Sequence, residues 1–380
     1  MAPLGLYIHV PFCSRICNYC TFNRRLLDDP LKARFVAAVR SHIERVAASL
    51  PHTAPRAADT IYFGGGTPSL LSPAEIASII NSCQQAFSIA ADAEVTMEVN
   101  PETASPEALS GFLAAGVNRL SIGVQSFRDD ELMRLGRVHD QARARRAVAE
   151  ARAAGFDNVS IDLIMWLPGQ SLADWRQSIE GLVSVAPDHA SLYMLELYPH
   201  APLREEMARS GVSQAPDDDA ADMYELAMDM VGAAGLAQYE ISNVARSGFE
   251  SAHNLKYWMD GEWFGFGPGA HSTVGGVRWK AVSATEQFVS AIEAGSDVQT
   301  DRRVLSREDR WQEALITGLR LVEGVAVDDL LRNYGLDIWA RYGDHLAPYL
   351  EAGLLRHEEG RLRLSRQGML LANEVLAVFI

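Results

Sequence analysis

The residues that decide the fold are GLYIHVPFCSRICNYCTF, residues 5–22. A short apolar run leads there into a loop that holds Cys13, Cys17 and Cys20, three of the four cysteines of the chain. The spacing Cys-x3-Cys-x2-Cys suits a cubane iron-sulfur cluster, because three thiolates can bind three irons and leave the fourth iron open to an exchangeable ligand. Structural zinc, the alternative interpretation, would be expected to use four closed ligands, and a redox pair would be expected as Cys-x-x-Cys. The loop therefore predicts a [4Fe-4S] cluster bound by Cys13, Cys17 and Cys20.

The fourth cysteine, Cys83, lies in a helical pattern over residues 72–87 that also contains Ile79, Ile80 and Phe87. A free thiol among apolar side chains is common in protein cores. We therefore expect Cys83 to be a buried free thiol rather than a fourth cluster ligand.

Composition and charge narrow the class of protein. The chain has 380 residues, of which 48% are hydrophobic and 22% charged, as expected for a globular protein with one large α/β domain and a smaller second unit. Its formal net charge of -15 repels phosphates, so we expect no nucleic acid among its partners. The first residues carry no signal-peptide pattern, and no apolar run reaches the roughly 18 to 20 residues that span a bilayer. The sequence therefore predicts a cytoplasmic protein, in a reducing compartment where clustered cysteines more often bind a metal than form disulfides.

Residues 1–245 alternate between β-type and helical patterns. Helical spacing of apolar residues covers 31–50, 72–87 and 105–116, and the last two stretches begin with Ser-Pro. The β-type runs are rich in Val, Ile, Tyr and Phe, as expected of strands covered on both faces. They are residues 6–10, 60–65, 94–99, 119–125, 159–165, 190–197 and 238–242. This alternation predicts an α/β fold with a parallel sheet that forms a full or partial (β/α) barrel.

Unusual residues follow or end these strands. The cysteine loop follows the first strand, three glycines (64–66) follow the second, Glu98 ends the third, Gln125 ends the fourth and Asp162 lies within the fifth. Parallel barrels carry their chemistry in the loops at the carboxyl ends of the strands. We therefore expect these residues to meet in one site, where Asp162 finds a partner, because a lone buried carboxylate is costly.

The remainder of the chain changes in character. Residues 246–300 form an aromatic-rich connecting segment with the motif HNLKYW (253–258), and residues 301–380 read as helices followed by a hairpin that turns at Glu359-Gly360. This order predicts a winged-helix-like domain. Because residues 301–380 hold 11 Lys and Arg against 13 Asp and Glu, we expect a structural role for it rather than DNA binding.

The motif CSRICNYC, with Tyr19 just before the last cysteine, resembles the radical S-adenosylmethionine (radical SAM) superfamily. The resemblance implies a partial barrel of the radical SAM type. It also implies that the amino and carboxylate groups of SAM chelate the open iron, and that cluster reduction cleaves SAM to methionine and a 5′-deoxyadenosyl radical.

A narrower resemblance covers nearly the whole chain, including its C-terminal domain. YIHVPFC, FGGGTPS, EVNPE, RLSIGVQSF, LGRVHD and IDLIMWLPGQ occur in the order found in the branch that contains oxygen-independent coproporphyrinogen III oxidase (HemN) and its relative HemW. The resemblance implies SAM contacts from Tyr7, Gly65, Gly66, Thr67, Glu98, Gln125, Arg137 and Asp162. From the residues alone, Glu98 could be a surface acid, Tyr7 could pack in the core and Arg137 could pair with Asp130 or Glu131. One departure is Trp166, where the family usually has glycine.

Within this branch the chain is most similar to HemW-type proteins. The oxidases usually have an N-terminal extension and a fourth cysteine two residues after the cluster motif, where this chain has Phe22. The resemblance implies a haem chaperone that binds the cluster, SAM and haem, delivers haem to acceptor proteins, and meets an electron donor such as flavodoxin or ferredoxin and, transiently, a membrane. Coproporphyrinogen III oxidase and a HemN-like methylase that acts on an sp² carbon remain the alternatives, and no catalytic residue is predicted.

His253 of the HNLKYW motif is the predicted haem ligand. Several aromatic residues follow it and would supply flat apolar surface beside an axial nitrogen; they are Tyr257, Trp258, Trp263, Phe264 and Phe266. The alternative is a hydrogen-bonded loop histidine packed among aromatic rings. His271 is a second candidate ligand, and we expect His9 to be a hydrogen-bonding neighbour of the cysteine loop.

Overall fold

The structure is a computed structural model that describes residues 3–50, 56–199 and 201–380. The strands are β1 (Leu4–Val10), β2 (Phe12–Cys13), β3 (Arg25–Leu26), β4 (Ala57–Gly65), β5 (Ser88–Val99), β6 (Arg119–Gln125), β7 (Val159–Met165), β8 (His189–Met194), β9 (Ala237–Gln238), β10 (Asn243–Ala245), β11 (Trp263–Phe266), β12 (His271–Val274), β13 (Val277–Ala281), β14 (Gln299–Val304), β15 (Val325–Ala326), β16 (Leu355–Glu358) and β17 (Arg361–Leu364). The helices are α1 (Asp29–Ser49), α2 (Pro73–Ala86), α3 (Pro106–Ala114), α4 (Asp129–Arg134), α5 (Gln141–Ala153), α6 (Leu172–Ser184), α7 (Pro202–Ser210), α8 (Asp217–Ala233), α9 (Ala252–Trp258), α10 (Thr285–Glu293), α11 (Arg307–Gly318), α12 (Val327–Tyr334), α13 (Ile338–Glu351), α14 (Arg366–Leu370) and α15 (Ala372–Leu376).

The main sheet confirms the predicted partial parallel barrel. Strands β1, β4, β5, β6, β7 and β8 are neighbours in that order and pair in parallel, with helices in the connections between them. Strand β11 pairs in parallel with the other side of β1, and β10 pairs antiparallel with β8. In the described part of the chain the sheet runs from β14 to β9, so it ends in two edges instead of closing.

The two faces of the sheet differ in polarity. In β4, Ile61 and Phe63 point to one face and join the hydrophobic core that also contains Phe35 of α1, whereas Thr60 and Tyr62 alternate with them and point to the other. The apolar face packs under the helices. The opposite face carries the polar residues of the site, so strands that look almost wholly apolar still enclose a polar interior.

The predicted helix starts are confirmed. Ser72 caps α2 in a capping box, in which its side chain accepts a hydrogen bond from the Glu75 backbone and the Glu75 side chain accepts one from the Ser72 backbone. Ser105 caps α3 through its side chain alone, which accepts a hydrogen bond from the backbone N–H of Ala108.

The prediction of a strand over 238–242 was wrong. The chain turns between β9 and β10, which pair with each other in antiparallel fashion. The cause is Glu240, whose side chain accepts hydrogen bonds from the backbone N–H of Ser242 at 3.1 Å and from the Asn243 side chain, and so stabilises a turn in place of an extended strand.

Residues 246–300 add α9, β11–β13 and α10 to the main sheet and core, to which Phe264, Phe266 and Phe288 belong. The C-terminal part has its own core around Trp311, Leu346 and other residues of the last helices, with a three-stranded sheet in the order β15-β17-β16. Its hairpin turns at Glu359-Gly360, as predicted. The boundaries at 245 and 300 stay predictions. No helix among the described residues is long and apolar enough to cross a membrane.

Candidate functional site

A cavity of about 420 Å³ lies at the carboxyl ends of the barrel strands. It brings together all three cysteines and seven of the eight predicted SAM residues, Tyr7 being the exception. The lining includes Cys13, Cys17, Cys20, Gly65, Gly66, Thr67, Glu98, Gln125, Arg137 and Asp162.

The cysteine loop is held by hydrogen bonds at two points, Cys13 and Asn18. The backbone N–H of Leu27 donates to the carbonyl of Cys13 at 3.0 Å, and the Asn18 side chain donates to the carbonyl of Arg134 at 2.8 Å. None of the three cysteines forms a disulfide among the described residues. Among the described residues, no three His, Cys, Asp or Glu side chains converge on a point that would suit a single metal ion. The loop therefore differs from a closed zinc site, whereas thiolates of a cubane bind separate irons.

Cys83 is confirmed as a buried free thiol. It lies within α2 in the hydrophobic core, away from the cavity lining, and burial raises the pKa of its thiol to about 12.

The glycine loop after β4 leaves no room for side chains. A Cβ atom on Gly66 would lie 2.6 Å from the carbonyl oxygen of Phe12, next to Cys13. Gly65 has a φ of +115°, and a Cβ there would lie 2.6 Å from the ring of His9. Thr67 is buried and accepts a hydrogen bond from the Asn100 side chain at 3.0 Å. The loop therefore forms a cradle whose backbone groups can approach a ligand beside the cysteines.

Two buried carboxyl groups occupy the same interior. Glu98 accepts hydrogen bonds from the hydroxyl of Tyr62 at 3.1 Å and from the backbone N–H of Gly65 at 3.0 Å. Asp162 accepts from the hydroxyl of Ser121 at 3.0 Å, so it has the partner that its burial requires. Burial, together with the nearby Asp162, raises the pKa of Glu98 to about 7. These carboxyl groups can accept hydrogen bonds from the hydroxyls of a bound ligand.

Arg137, in the loop between α4 and α5, points into the site. Its guanidinium donates to the Asn100 side chain at 2.7 Å and to the carbonyl of Gly123 at 2.8 Å, and one nitrogen lies 3.5 Å from the sulfur of Cys17. Neither alternative ion pair is formed, because Asp130 and Glu131 both lie within ion-pair distance of Arg128 instead. Arg137 thus places a positive charge beside the cysteine loop.

Gln125 and Trp166 both have backbone conformations that favour glycine, with φ of +69° and +61°. Trp166 therefore keeps the geometry expected of the glycine usual at its position. The indole N–H donates to the carbonyl of Ala215 at 2.9 Å, and the Gln214 side chain donates to the Trp166 carbonyl at 2.9 Å. These contacts offset a backbone strain of about 1 kcal/mol.

Tyr7 does not line the cavity. Its hydroxyl lies 3.1 Å from Nδ1 of His9, and Nε2 of His9 donates to the carbonyl of Asn23 at 2.7 Å. His9 is therefore the expected hydrogen-bonding neighbour of the cysteine loop, and it links Tyr7 to that loop.

The surroundings of His253 agree with the alternative interpretation of a hydrogen-bonded histidine packed among aromatic rings. His253 is 1% exposed, with Nδ1 2.8 Å from the hydroxyl of Thr60 and Nε2 2.8 Å from the hydroxyl of Tyr257. Its ring stacks on Tyr62 at a centroid distance of 5.1 Å. Burial, with the positive charge of Lys256, lowers the pKa of His253 to about 3. Helix α9 thus closes the floor of the barrel, and haem ligation by His253 stays a prediction that requires the hydrogen bond at the iron-binding ring nitrogen to break.

Sequence reasoning missed other polar residues of the interior. Tyr62, Ser121, Ser191 and Tyr193 line the cavity on β4, β6 and β8. The available signal was an even spacing along a strand from a predicted site residue, since Ser121 lies four positions before Gln125.

Comparison with known proteins agrees with this geometry. The radical SAM superfamily matches residues 7–182, and the HemN C-terminal domain matches residues 305–371. The structure of HemN, the coproporphyrinogen III oxidase from Escherichia coli, superimposes with a TM-score of 0.87 over 99% of this chain and 90% of that one, at 23% identity, and so shares the fold. The superfamily implies a [4Fe-4S] cluster and SAM. The three free cysteines and the side-chain-free glycine cradle fit these groups.

Relatives of similar length extend the match to the whole chain. The heme chaperone HemW from Bacillus subtilis is 35% identical over 98% of both chains, and that from Mycobacterium tuberculosis is 37% identical over 100% of this chain and 95% of the relative. Radical S-adenosyl methionine domain-containing protein 1 of Bos taurus mitochondria is 36% identical over 98% of this chain and 86% of the relative. The chain therefore belongs to the HemW family within the radical SAM superfamily.

Proposed function

We propose that this protein is a haem chaperone, which binds haem next to a cluster-and-SAM site and passes it to acceptor proteins. The observation that carries the proposal is the full-length similarity to proteins named heme chaperone HemW, at 31% to 37% identity in four bacterial species. Phe22, at the position of the usual fourth cysteine of the oxidases, agrees with it.

In this proposal the thiolates of Cys13, Cys17 and Cys20 hold the cluster. When bound, the cluster supplies an open iron for SAM and an electron from a donor such as flavodoxin or ferredoxin. Arg137 lies beside Cys17, which suits a contact with the carboxylate of SAM.

The remaining residues of the cavity would hold the rest of SAM. Gly65, Gly66 and Thr67 would cradle its methionine end, because the two glycines leave the backbone open towards the cysteine loop and the Thr67 side chain hydrogen-bonds Cys13. Glu98, Asp162 and Gln125 would accept or donate hydrogen bonds at the ribose and adenine. Tyr7 would act indirectly, through its hydrogen bond with His9.

An anaerobic haemin titration of cluster-reconstituted protein, followed in the Soret region, tests the proposal. We expect saturation near one haem per chain, followed by transfer to an apo-acceptor such as an apocytochrome. Because haem adheres to many apolar surfaces, serum albumin serves as a competitor for loosely held haem. Binding that does not saturate, or haem that no acceptor removes, would contradict the proposal.

The likeness to HemN motivates two competing functions, an oxidase and a methylase. Incubation with coproporphyrinogen III, SAM and a reductant is expected to yield no decarboxylated porphyrinogen. Formation of protoporphyrinogen would replace the chaperone proposal with an oxidase, and transfer of a methyl group to an added acceptor would indicate the methylase.

Membrane contact is a further expectation, to be tested by co-sedimentation with anionic vesicles.

A further inference from the structure

The rim of the cavity exposes large apolar side chains. Phe22 is 67% exposed, Met194 44% and Tyr198 47%, and all three line the same cavity as the cysteines. They come from the cysteine loop on one side and from the end of β8 with its following loop on the other. Apolar groups that are gathered at a cavity mouth mark a ligand or partner site, because covering them from water is favourable.

Positive charge lies within this apolar rim. Arg15 is exposed, and in the described part of the chain it forms no ion pair; Arg24 donates to the carbonyl of Phe22 at 3.1 Å. Glu196, a carboxylate of the rim, already accepts a hydrogen bond from the hydroxyl of Tyr198 at 2.8 Å. In a chain of net charge -15, two arginines at an apolar mouth fit a flat apolar ligand that carries carboxylates. A haem with its propionates has that chemistry.

The rim also offers a ligand for iron. Haem iron in proteins is bound by His, Cys, Met or Tyr. His253 is hydrogen-bonded at both ring nitrogens in the floor, and the Tyr198 hydroxyl is engaged by Glu196. The Tyr193 hydroxyl lies within hydrogen-bonding reach of Ser191. Met194 is 44% exposed, and among the described residues its sulfur takes part in no hydrogen bond.

We propose that haem binds on this rim, with its faces against Phe22 and Tyr198, the Met194 sulfur on the iron and a propionate on Arg15. This inference rests on the proposed function and names the haem site within it. It replaces His253 by Met194 as the iron ligand, so the two assignments predict opposite results.

The test is the same haemin titration on cluster-reconstituted variants with matched controls. Met194→Leu is paired with Met259→Leu, a methionine that is 66% exposed but outside the cavity, and Arg15→Ala is paired with Arg302→Ala, another exposed arginine. We expect Met194→Leu and Arg15→Ala to weaken haem binding about tenfold and about threefold, and their controls to change it by less than about twofold. Met194→Leu should also change the ligand-field bands of the ferric haem, and His253→Gln should leave them unchanged.

These variants separate two failures. If the wild-type protein shows no saturable binding, the proposed function itself fails. If the wild type saturates but Met194→Leu and Arg15→Ala match their controls, or if His253→Gln alters the ligand-field bands, the rim site is overturned and haem binding survives. Because Met194 and Arg15 are surface side chains, the far-ultraviolet circular dichroism of their variants should match that of the wild type.

Discussion

Replacement of His253 by alanine should destabilise the fold, because this side chain ties α9 to the barrel floor. The substitution leaves the buried hydroxyl of Thr60 and the half-buried hydroxyl of Tyr257 without their partner, at about 2 kcal/mol and about 1 kcal/mol. It also removes the stacking contact with Tyr62, which contributes about 1 kcal/mol. We therefore expect the free energy of unfolding to fall by about 4 kcal/mol.

Urea unfolding of the apoprotein, followed by circular dichroism, measures this change. Thr60→Val and Tyr257→Phe each break one of the two hydrogen bonds and should cost about 1–2 kcal/mol. Combined with His253→Ala, each should add less than its separate effect, since the partner is already gone. A His253→Ala protein within about 0.5 kcal/mol of the wild type, with additive double variants, would refute the assignment of His253 to the floor.

The same substitution should weaken SAM binding without direct contact. Tyr62 stacks on His253 and donates to Glu98, and Glu98 accepts from the backbone of Gly65 in the glycine cradle. Without the His253 ring beneath it, the Tyr62 side chain is free to move away from Glu98. Equilibrium dialysis of SAM with the reconstituted protein should show a higher Kd for His253→Ala, and an unchanged Kd would break this chain of contacts.

Three further outcomes are expected. Alanine at any cluster cysteine should abolish the iron-sulfur absorbance, whereas Cys83→Ala should retain it; a full cluster in all three variants, Cys13→Ala, Cys17→Ala and Cys20→Ala, would refute the cluster assignment. The pKa of Glu98 is raised to about 7 from 4.5, so its protonated form stabilises the fold at low pH, and this contribution of up to about 3 kcal/mol is lost as the pH rises through 7. The free energies of unfolding of the wild type and Glu98→Gln, measured in urea between pH 5 and 8, should therefore diverge with pH. A constant difference between the two would contradict the shift. Trp166→Gly should relieve about 1 kcal/mol of backbone strain but lose more in packing and its hydrogen bond to Ala215, for a net loss of about 2 kcal/mol in the same assay.

The barrel and the lining of its site could be predicted because their signals are local. Strands β6 and β7 begin and end at the predicted residues, since continuous apolar runs bounded by turns define a buried parallel strand. Their shared direction then forces the residues at their carboxyl ends together, which is why Gln125 and Asp162 could be assigned to one cavity before any coordinates.

The floor could not be predicted in this way. His253 and Thr60 are separated by 193 residues, and no local pattern indicates that α9 fits beneath β1 and β4. Gly5 makes room for it: a Cβ there would lie 3.1 Å from the His253 ring. The turn at Glu240 was missed for the related reason that a side chain, not the backbone pattern, determines it.

The burial of His253 among aromatic rings bears on how haem ligands are identified in this family. A histidine among aromatic rings suits a haem pocket. It equally suits a buried barrel floor, because its ring stacks on Tyr62 and both of its nitrogens hydrogen-bond to hydroxyl groups. Loss of haem binding in a His253 variant therefore does not identify an iron ligand, because the same change disturbs Tyr62, Glu98 and the glycine cradle beside the cysteines. Only an observable that belongs to the iron, such as its ligand-field bands, distinguishes a ligand from a residue that shapes the barrel below it. By that criterion Met194 should act as a ligand and His253 should not.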